Sequence, residues 1–298
     1  MVTMRRVLCP VDFSDFSRHA LDYAAGVARW YEARITALHV IPPITSMLPA
    51  SGEGVYPPLV FSPEELRQFR DELESFARAS GIEALDTEVV QGSVAGEIVR
   101  FANELPADLL VMGTHGRSGF ERLMLGSVTE KLLRKSPCPL LTVPAAVPAL
   151  APVNALFSRV LCAVDFSPAS LHALTLAQAL AGEAAARLCV VHVLEPVSVF
   201  EPVVAVGADG LPAVNADHRR EVRRRLEGLV GGDTRAFTDV AEIVVSGKPY
   251  REILRVADEQ RSDLIVIGAH GGRRGLPVFG STTAHVVREG KCPVLTVR

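Results

Sequence analysis

The sequence is short of the features that announce redox, metal, membrane or nucleic-acid chemistry. Its five cysteines, Cys9, Cys138, Cys162, Cys189 and Cys292, form no C-x-x-C pair, so neither a zinc ribbon nor a disulfide scaffold is indicated. Cys9 and Cys162 fall inside apolar runs, where cysteine behaves as a small hydrophobe. No apolar run reaches the roughly 18 residues that span a bilayer, so no membrane insertion is expected. The opening MVTMRRVLCPVDFSD has only five residues between its arginines and an aspartate, which reads as a buried strand rather than a secretory h-region. A cytoplasmic location is the expectation. A net charge of −3 gives no electrostatic ground for a nucleic-acid partner. The P-loop G-x-x-x-x-G-K-[ST], a G-x-G-x-x-G after the first strand, H-E-x-x-H and the G-x-S-x-G elbow are all missing, so Walker-type hydrolysis, dinucleotide redox chemistry and the usual hydrolase signatures lose their main signals.

What is present is one pattern, twice. Leu109 to Ser127 reads LLVMGTHGRSGFERLMLGS: an apolar run ends at Gly113, Gly116 follows, and Gly126-Ser127 opens a helical segment. Strand, glycine-bearing loop and helix start make a place where backbone approaches a ligand closely and unpaired N–H groups favour a phosphate. Tight turns alone account for the same glycines, and Ser127 serves equally as helix cap or anion donor. The pattern returns at Leu264 to Ser281, with Gly268, Gly271, Gly280 and Ser281 in the same order.

The duplication is general. Arg6 to Ala24 aligns with Arg159 to Ala177, with thirteen of nineteen positions identical. Repeats of about 150 residues are duplicated domains rather than solenoid units, and the chain's length suits two domains. The expected boundaries are 1–146 and 158–298, joined by a proline- and alanine-rich linker, 147–157.

In the first copy an apolar strand from Arg6 to Val11 ends at Asp12. Ser14 or Ser17 caps a helix with a periodic apolar stripe, and Ile35 to Val40 forms strand two. Ile41 to Phe61 is aperiodic, as functional or disordered loops are. A helix begins at Ser62 with a capping box and proline at its first position, and Gly81 stops it. Strand three lies near Thr87 to Val90, a helix runs Ala95 to Asn103, and strands four and five are Leu109 to Met112 and Leu140 to Val143. The second copy repeats the plan, with a loose loop from Glu195 to Ala216 and a charged helix from Asp217 to Val230. Strands alternating with helices imply right-handed βαβ units and a parallel sheet.

The spacing Gly113-x2-Gly116-x9-Gly126-Ser127, the Val-Asp that ends strand one and the closing CPLLTV strand together resemble the universal stress protein family, over essentially the whole chain as two tandem copies. The resemblance implies two tandem flavodoxin-like/Rossmann-like α/β domains, each a five-stranded parallel sheet with helices on both faces. It also implies ATP held by the G-x2-G-x9-G-S/T pattern, usually without rapid turnover. Family members pair through their last strands, so pairing of the two copies within one chain and a further homodimer are expected, the more so because edge strands invite pairing.

Carried over by position, Pro10 and Val11 would border the adenine and Asp12 would bond the ribose, with a helix N-cap as its alternative role. Val40 would bond the base through its backbone, and Gly113, Gly116, Gly126 and Ser127 would cradle the phosphates. Asp165, Val193, Gly268, Gly271, Gly280 and Ser281 are the second copy's counterparts. That copy departs from the pattern: Gly271 and Gly280 enclose eight residues instead of nine, with Pro277 among them, and Ala163 replaces Pro10. One residue fewer shifts the N–H groups by up to about 3 Å. Arg273 and Arg274 either compensate or form a solvated turn.

Six histidines repeat in pairs: His19 with His172, His39 with His192, and His115 with His270. Duplication repeats structural residues too, so these are read first as structural. No general base and no metal ligands are named. Mg²⁺ bridging the phosphates remains compatible with the pattern. The expected function is an ATP-binding, stress-responsive regulatory protein with an unknown protein partner. A slow ATP hydrolase or phosphotransferase in the same pocket, and a nucleotide-free scaffold, are the alternatives.

Overall fold

The computed structural model describes residues 3–43, 61–82, 85–114, 125–144, 147, 157–195, 216–270 and 280–298. Contacts divide the chain into two compact units, Thr3–Pro152 and Val153–Arg298.

In the first unit the order is β1 (Arg6–Pro10), α1 (Asp15–Tyr31), β2 (Arg34–Ile41), α2 (Pro63–Arg78), β3 (Leu85–Gln91), α3 (Val94–Glu104), β4 (Leu109–Gly113), α4 (Ser127–Lys135) and β5 (Leu140–Val143). Its strands lie in the order β3-β2-β1-β4-β5, and every pair between them is parallel. The progression reverses between β1 and β4. Right-handed crossovers therefore put α1 and α2 on one face and α3 and α4 on the other. The packing agrees, since α1 touches α2 and α3 touches α4.

The second unit repeats this with β6 (Arg159–Ala163), α5 (Pro168–Glu183), β7 (Arg187–Leu194), α6 (Ala216–Leu229), α7 (Gly232–Phe237), β8 (Val240–Ser246), α8 (Pro249–Gln260), β9 (Leu264–Gly268), α9 (Ser281–Glu289) and β10 (Val294–Val297). Its strand order is β8-β7-β6-β9-β10, again all parallel.

Strands covered on both faces must be apolar throughout. β4 and β9 are buried at every residue, and Leu8, Leu38, Leu110, Leu161 and Ile265 have no more than 1% of their surface exposed. Each such side chain contributes about 1.5–3 kcal/mol by leaving water. Cys9 and Cys162 lie in this core, fully buried. One carboxylate fastens the start of each central strand. Asp108 Oδ2 accepts the backbone N–H groups of Arg5 and Arg6 at 2.7 and 3.0 Å, and Asp263 does the same for Ser158 and Arg159 at 2.8 and 2.9 Å.

Local expectations are met in detail at α2, where Ser62 and Glu65 make both bonds of the capping box. The helix ends at Arg78, two residues before the expected end, and Gly81 follows in the left-handed region at φ +67°. The six-residue α7 was not anticipated: GDTRAF is too short to show a period. Most of the expected loops at 41–61 and 195–216, and of the linker at 147–157, lies outside the described residues.

Candidate functional site

Both units build the same corner where strand one ends. Ser14 caps α1, its hydroxyl accepting the Ser17 N–H, and Ser167 caps α5 through the Ser170 N–H. This decides between Ser14 and Ser17, and it corrects the alternative reading of Asp12 as the cap. Asp12 stands two residues earlier: its Oδ1 accepts the Ser14 N–H at 3.1 Å and the Ser14 hydroxyl at 2.5 Å. Asp165 Oδ1 accepts the Ser167 N–H at 3.0 Å in the same way. These are Asx turns, which reverse the chain directly after a strand. The residue between carboxylate and cap is left-handed in each copy, Phe13 at φ 63° and Phe166 at φ 62°. A bulky residue held there costs about 1–3 kcal/mol, and such strain collects at functional corners.

A histidine supports each corner from strand two. His39 Nδ1–H donates to the Val11 carbonyl and His192 Nδ1–H to the Val164 carbonyl, both at 2.7 Å. The rings also pack on the strained phenylalanines, His39 on Phe13 at 4.6 Å and His192 on Phe166 at 4.8 Å between centroids. This pair of repeated histidines therefore works structurally, as the sequence reading held. Burial lowers the His192 pKa, against the opposing pull of the Val164 carbonyl.

Strand two extends past strand one, and its geometry explains the interest of Val40 and Val193. The Leu38 carbonyl accepts the Val11 N–H, and the Ile41 carbonyl accepts the Gly92 N–H on the opposite side. Backbone groups alternate sides along a strand, so the N–H and C=O of Val40 face the β1 side, one rung beyond Val11. The same alternation holds for Val193, between Val191, which accepts from Val164, and Leu194, which accepts from Gly247.

The glycine loops begin and end beside each other. Gly126 N–H donates to the Thr114 carbonyl at 3.1 Å, and Gly280 N–H to the Ala269 carbonyl at 3.2 Å. Gly126 and Gly280 are themselves the N-caps of α4 and α9, so Ser127 and Ser281 are first helical residues rather than caps. A threonine two positions further on fixes each helix start to its strand. Thr129 Oγ1 donates to the Gly113 carbonyl at 3.3 Å and Thr283 Oγ1 to the Gly268 carbonyl at 2.8 Å, both buried. At Gly268 a Cβ would lie 2.9 Å from Ser170 N and 3.0 Å from the Ala169 carbonyl carbon. That glycine is therefore required by the close approach of α5. Gly116 and Gly271, with His115, Arg273, Arg274 and Pro277, lie outside the described residues.

In the second unit these parts enclose a cleft of about 670 Å³, bordered by Asp165, Val193, Gly268, Gly280 and Ser281. That volume is within the usual range for small-molecule sites. Val164, Val191, Ile253 and Ile267 give it an apolar floor, and Glu195 and His270 add polar groups at the rim. Burial also lowers the His270 pKa, helped by the charge of Arg298. The remaining wall is formed by Lys248, Tyr250 and His285. The Tyr250 and His285 rings stack with centroids 4.3 Å apart, and Lys248 Nζ lies 4.9 Å from the centre of the Tyr250 ring.

A model of the universal stress protein family matches residues 3–144 and again 156–298. The chain belongs to that family.

Relatives agree with the assignment. A universal stress protein of Methanocaldococcus jannaschii is 35% identical over 141 residues, which is 47% of this chain and 81% of that protein. The crystal structure of a universal stress protein from Archaeoglobus fulgidus covers 98% of both chains with a TM-score of 0.68 at 24% identity. A Pseudomonas aeruginosa protein of unknown function covers 99% of this chain and 92% of its own, with a TM-score of 0.64 at 19% identity. At those identities the structures speak for the fold alone.

Within this tandem universal stress protein, the described members of the second set, Asp165, Val193, Gly268, Gly280 and Ser281, border one cleft. In the first unit Pro10, Val11, Asp12, Val40, Gly113, Gly126 and Ser127 occupy the matching C-terminal ends of β1, β2 and β4 and the start of α4. The sequence reading missed Thr129 and Thr283. It also missed Lys248, Tyr250 and His285, although the GKPY that follows β8 stands where the first copy has GSVA.

Proposed function

We propose that the chain is an ATP-binding regulatory protein whose nucleotide occupancy governs its conformation and its association with a protein partner. The observation that carries this reading is the second unit's cleft: a carboxylate, backbone groups on strand two and a helix start with no side-chain cap converge at the C-terminal ends of β6 and β9, where the strand order reverses. Ligands of open parallel sheets bind at such switch points.

The residues suit an adenine nucleotide. The apolar floor accepts a base, and the Val193 backbone lies beside it to bond the base edge. Asp165 borders the cleft at the end of β6, and its carboxylate bonds the ribose hydroxyls. The first turn of α9, which begins at Ser281 after the Gly280 N-cap, offers N–H groups to phosphate oxygens. Pro10, Val11, Asp12, Val40, Gly113, Gly116, Gly126 and Ser127 play these parts in the first unit, and Gly271 completes the second. ATP supplies the binding energy, with Mg²⁺ as the expected counter-ion of its phosphates. A ligand that binds the folded state alone stabilises it by about 2.7 kcal/mol at a hundredfold excess over its dissociation constant.

The test is to denature freshly purified protein and identify released nucleotide by chromatography, with its ratio to chain. About two ATP per chain supports binding by both copies. None, together with no thermal shift on adding ATP and Mg²⁺, overturns the reading in favour of a nucleotide-free scaffold.

A further inference from the structure

The second cleft has a wall that the first unit does not reproduce. Aligned by their glycine-bearing turns, Lys248 corresponds to Ser93, Tyr250 to Ala95 and His285 to Lys131. Contacts join the three residues into one cluster that ends at the start of α9. Lys248 Nζ lies over the Tyr250 ring at 4.9 Å, a cation–π arrangement. Tyr250 stacks on His285 at 4.3 Å with the ring planes inclined by 26°. His285 Nδ1–H donates to the Ser281 carbonyl at 2.7 Å. Arg251 Nε–H donates to the Tyr250 hydroxyl at 3.3 Å, holding the tyrosine from its other end. The lysine side chain is exposed at the cleft rim.

Charge in the cleft is therefore divided. Asp165 and Glu195 place carboxylates at the ends of β6 and β7, while Lys248 brings an ammonium to the wall that is tied to α9. A ligand with a neutral head and a polyanionic tail matches that division. This is also the copy whose glycine loop is one residue shorter.

We propose that Lys248, held by the Tyr250–His285 stack, is the polyphosphate-selecting residue of the second cleft, so that this copy discriminates by phosphate charge in a way the first does not. The inference rests on the nucleotide reading above and deepens it. The ammonium meets the tail of the bound nucleotide as a charge-assisted partner and leaves the base and ribose contacts untouched. Its contribution is electrostatic, exposed and screened by salt.

The experiment is calorimetric titration of the full-length chain with ATP, AMP and adenosine at two salt concentrations. The second copy's isotherm is identified as the one lost in Asp165→Ala. Lys248→Ala is expected to weaken ATP at that site by roughly tenfold, the size of one charge-assisted hydrogen bond, while adenosine binding stays unchanged. Lys248→Arg should restore ATP affinity, and Tyr250→Ala should reproduce part of the loss. Equal weakening of ATP and adenosine, or an unchanged ATP affinity in a Lys248→Ala chain with wild-type melting, overturns the selection role alone. A wild-type chain that binds ATP at neither copy overturns the nucleotide reading and this inference with it.

Discussion

His192 Nδ1 lies 2.7 Å from the Val164 carbonyl oxygen, and with the Val164 N–H bonded to the Val191 carbonyl it ties strand two of the second unit to the residue that precedes Asp165. Burial holds the His192 pKa below its ordinary value. Below pH about 6.5 the unfolded chain then binds more protons than the folded one, so stability declines as the pH falls. His270, shifted in the same direction, adds to the trend. Thermal melts between pH 8 and pH 5 should show this loss, and His192→Gln should flatten the slope. A slope unchanged by that substitution refutes the assignment.

Thr283 connects α9 to β9 through the Gly268 carbonyl at 2.8 Å. Thr283→Val keeps the shape and removes the donor, leaving a buried carbonyl unsatisfied, which costs about 1–3 kcal/mol. The melting temperature should fall by roughly 2–4 °C for each kcal/mol. Thr283→Ser should recover most of it, and failure of that rescue would assign the effect to the methyl group instead.

Asp165 has a structural bond to the Ser167 N–H as well as its proposed contact with ribose. Asp165→Asn retains an oxygen acceptor for the turn but loses the charge and gains an N–H donor. Melting should change by less than about 1 kcal/mol in the absence of ligand, while ATP affinity of the second copy drops roughly tenfold. Equal losses of stability and affinity would make the residue purely structural.

All five thiols are pushed up, chiefly by burial, with Cys189 and Cys292 reaching about 12. The thiolate is the reactive species, so an aromatic disulfide reagent at pH 8 should label native protein slowly and all five cysteines once it is unfolded. Rapid labelling of Cys9, Cys162 or Cys189 in the native chain would contradict its burial, whereas Cys138 and Cys292 are half-buried and should react first.

The sequence by itself determined the duplication, the alternation of strands and helices, and the strand-end positions of the repeated glycines and aspartates. These follow from properties read within a few neighbouring residues: unbroken apolar runs in buried parallel strands, serine and proline at helix starts, glycine where the chain turns. Tertiary structure alone decided which of two serines caps α1 and that Asp12 makes a turn instead of a cap. Only the folded chain shows that Gly268 is glycine because α5 passes against it, and that Thr283 reaches back to the end of β9. The wall of Lys248, Tyr250 and His285 was invisible for the same reason. Its members come from the N-cap and first turn of α8 and from the second turn of α9, and no local pattern records that two distant helices will stack their aromatic rings across one cleft.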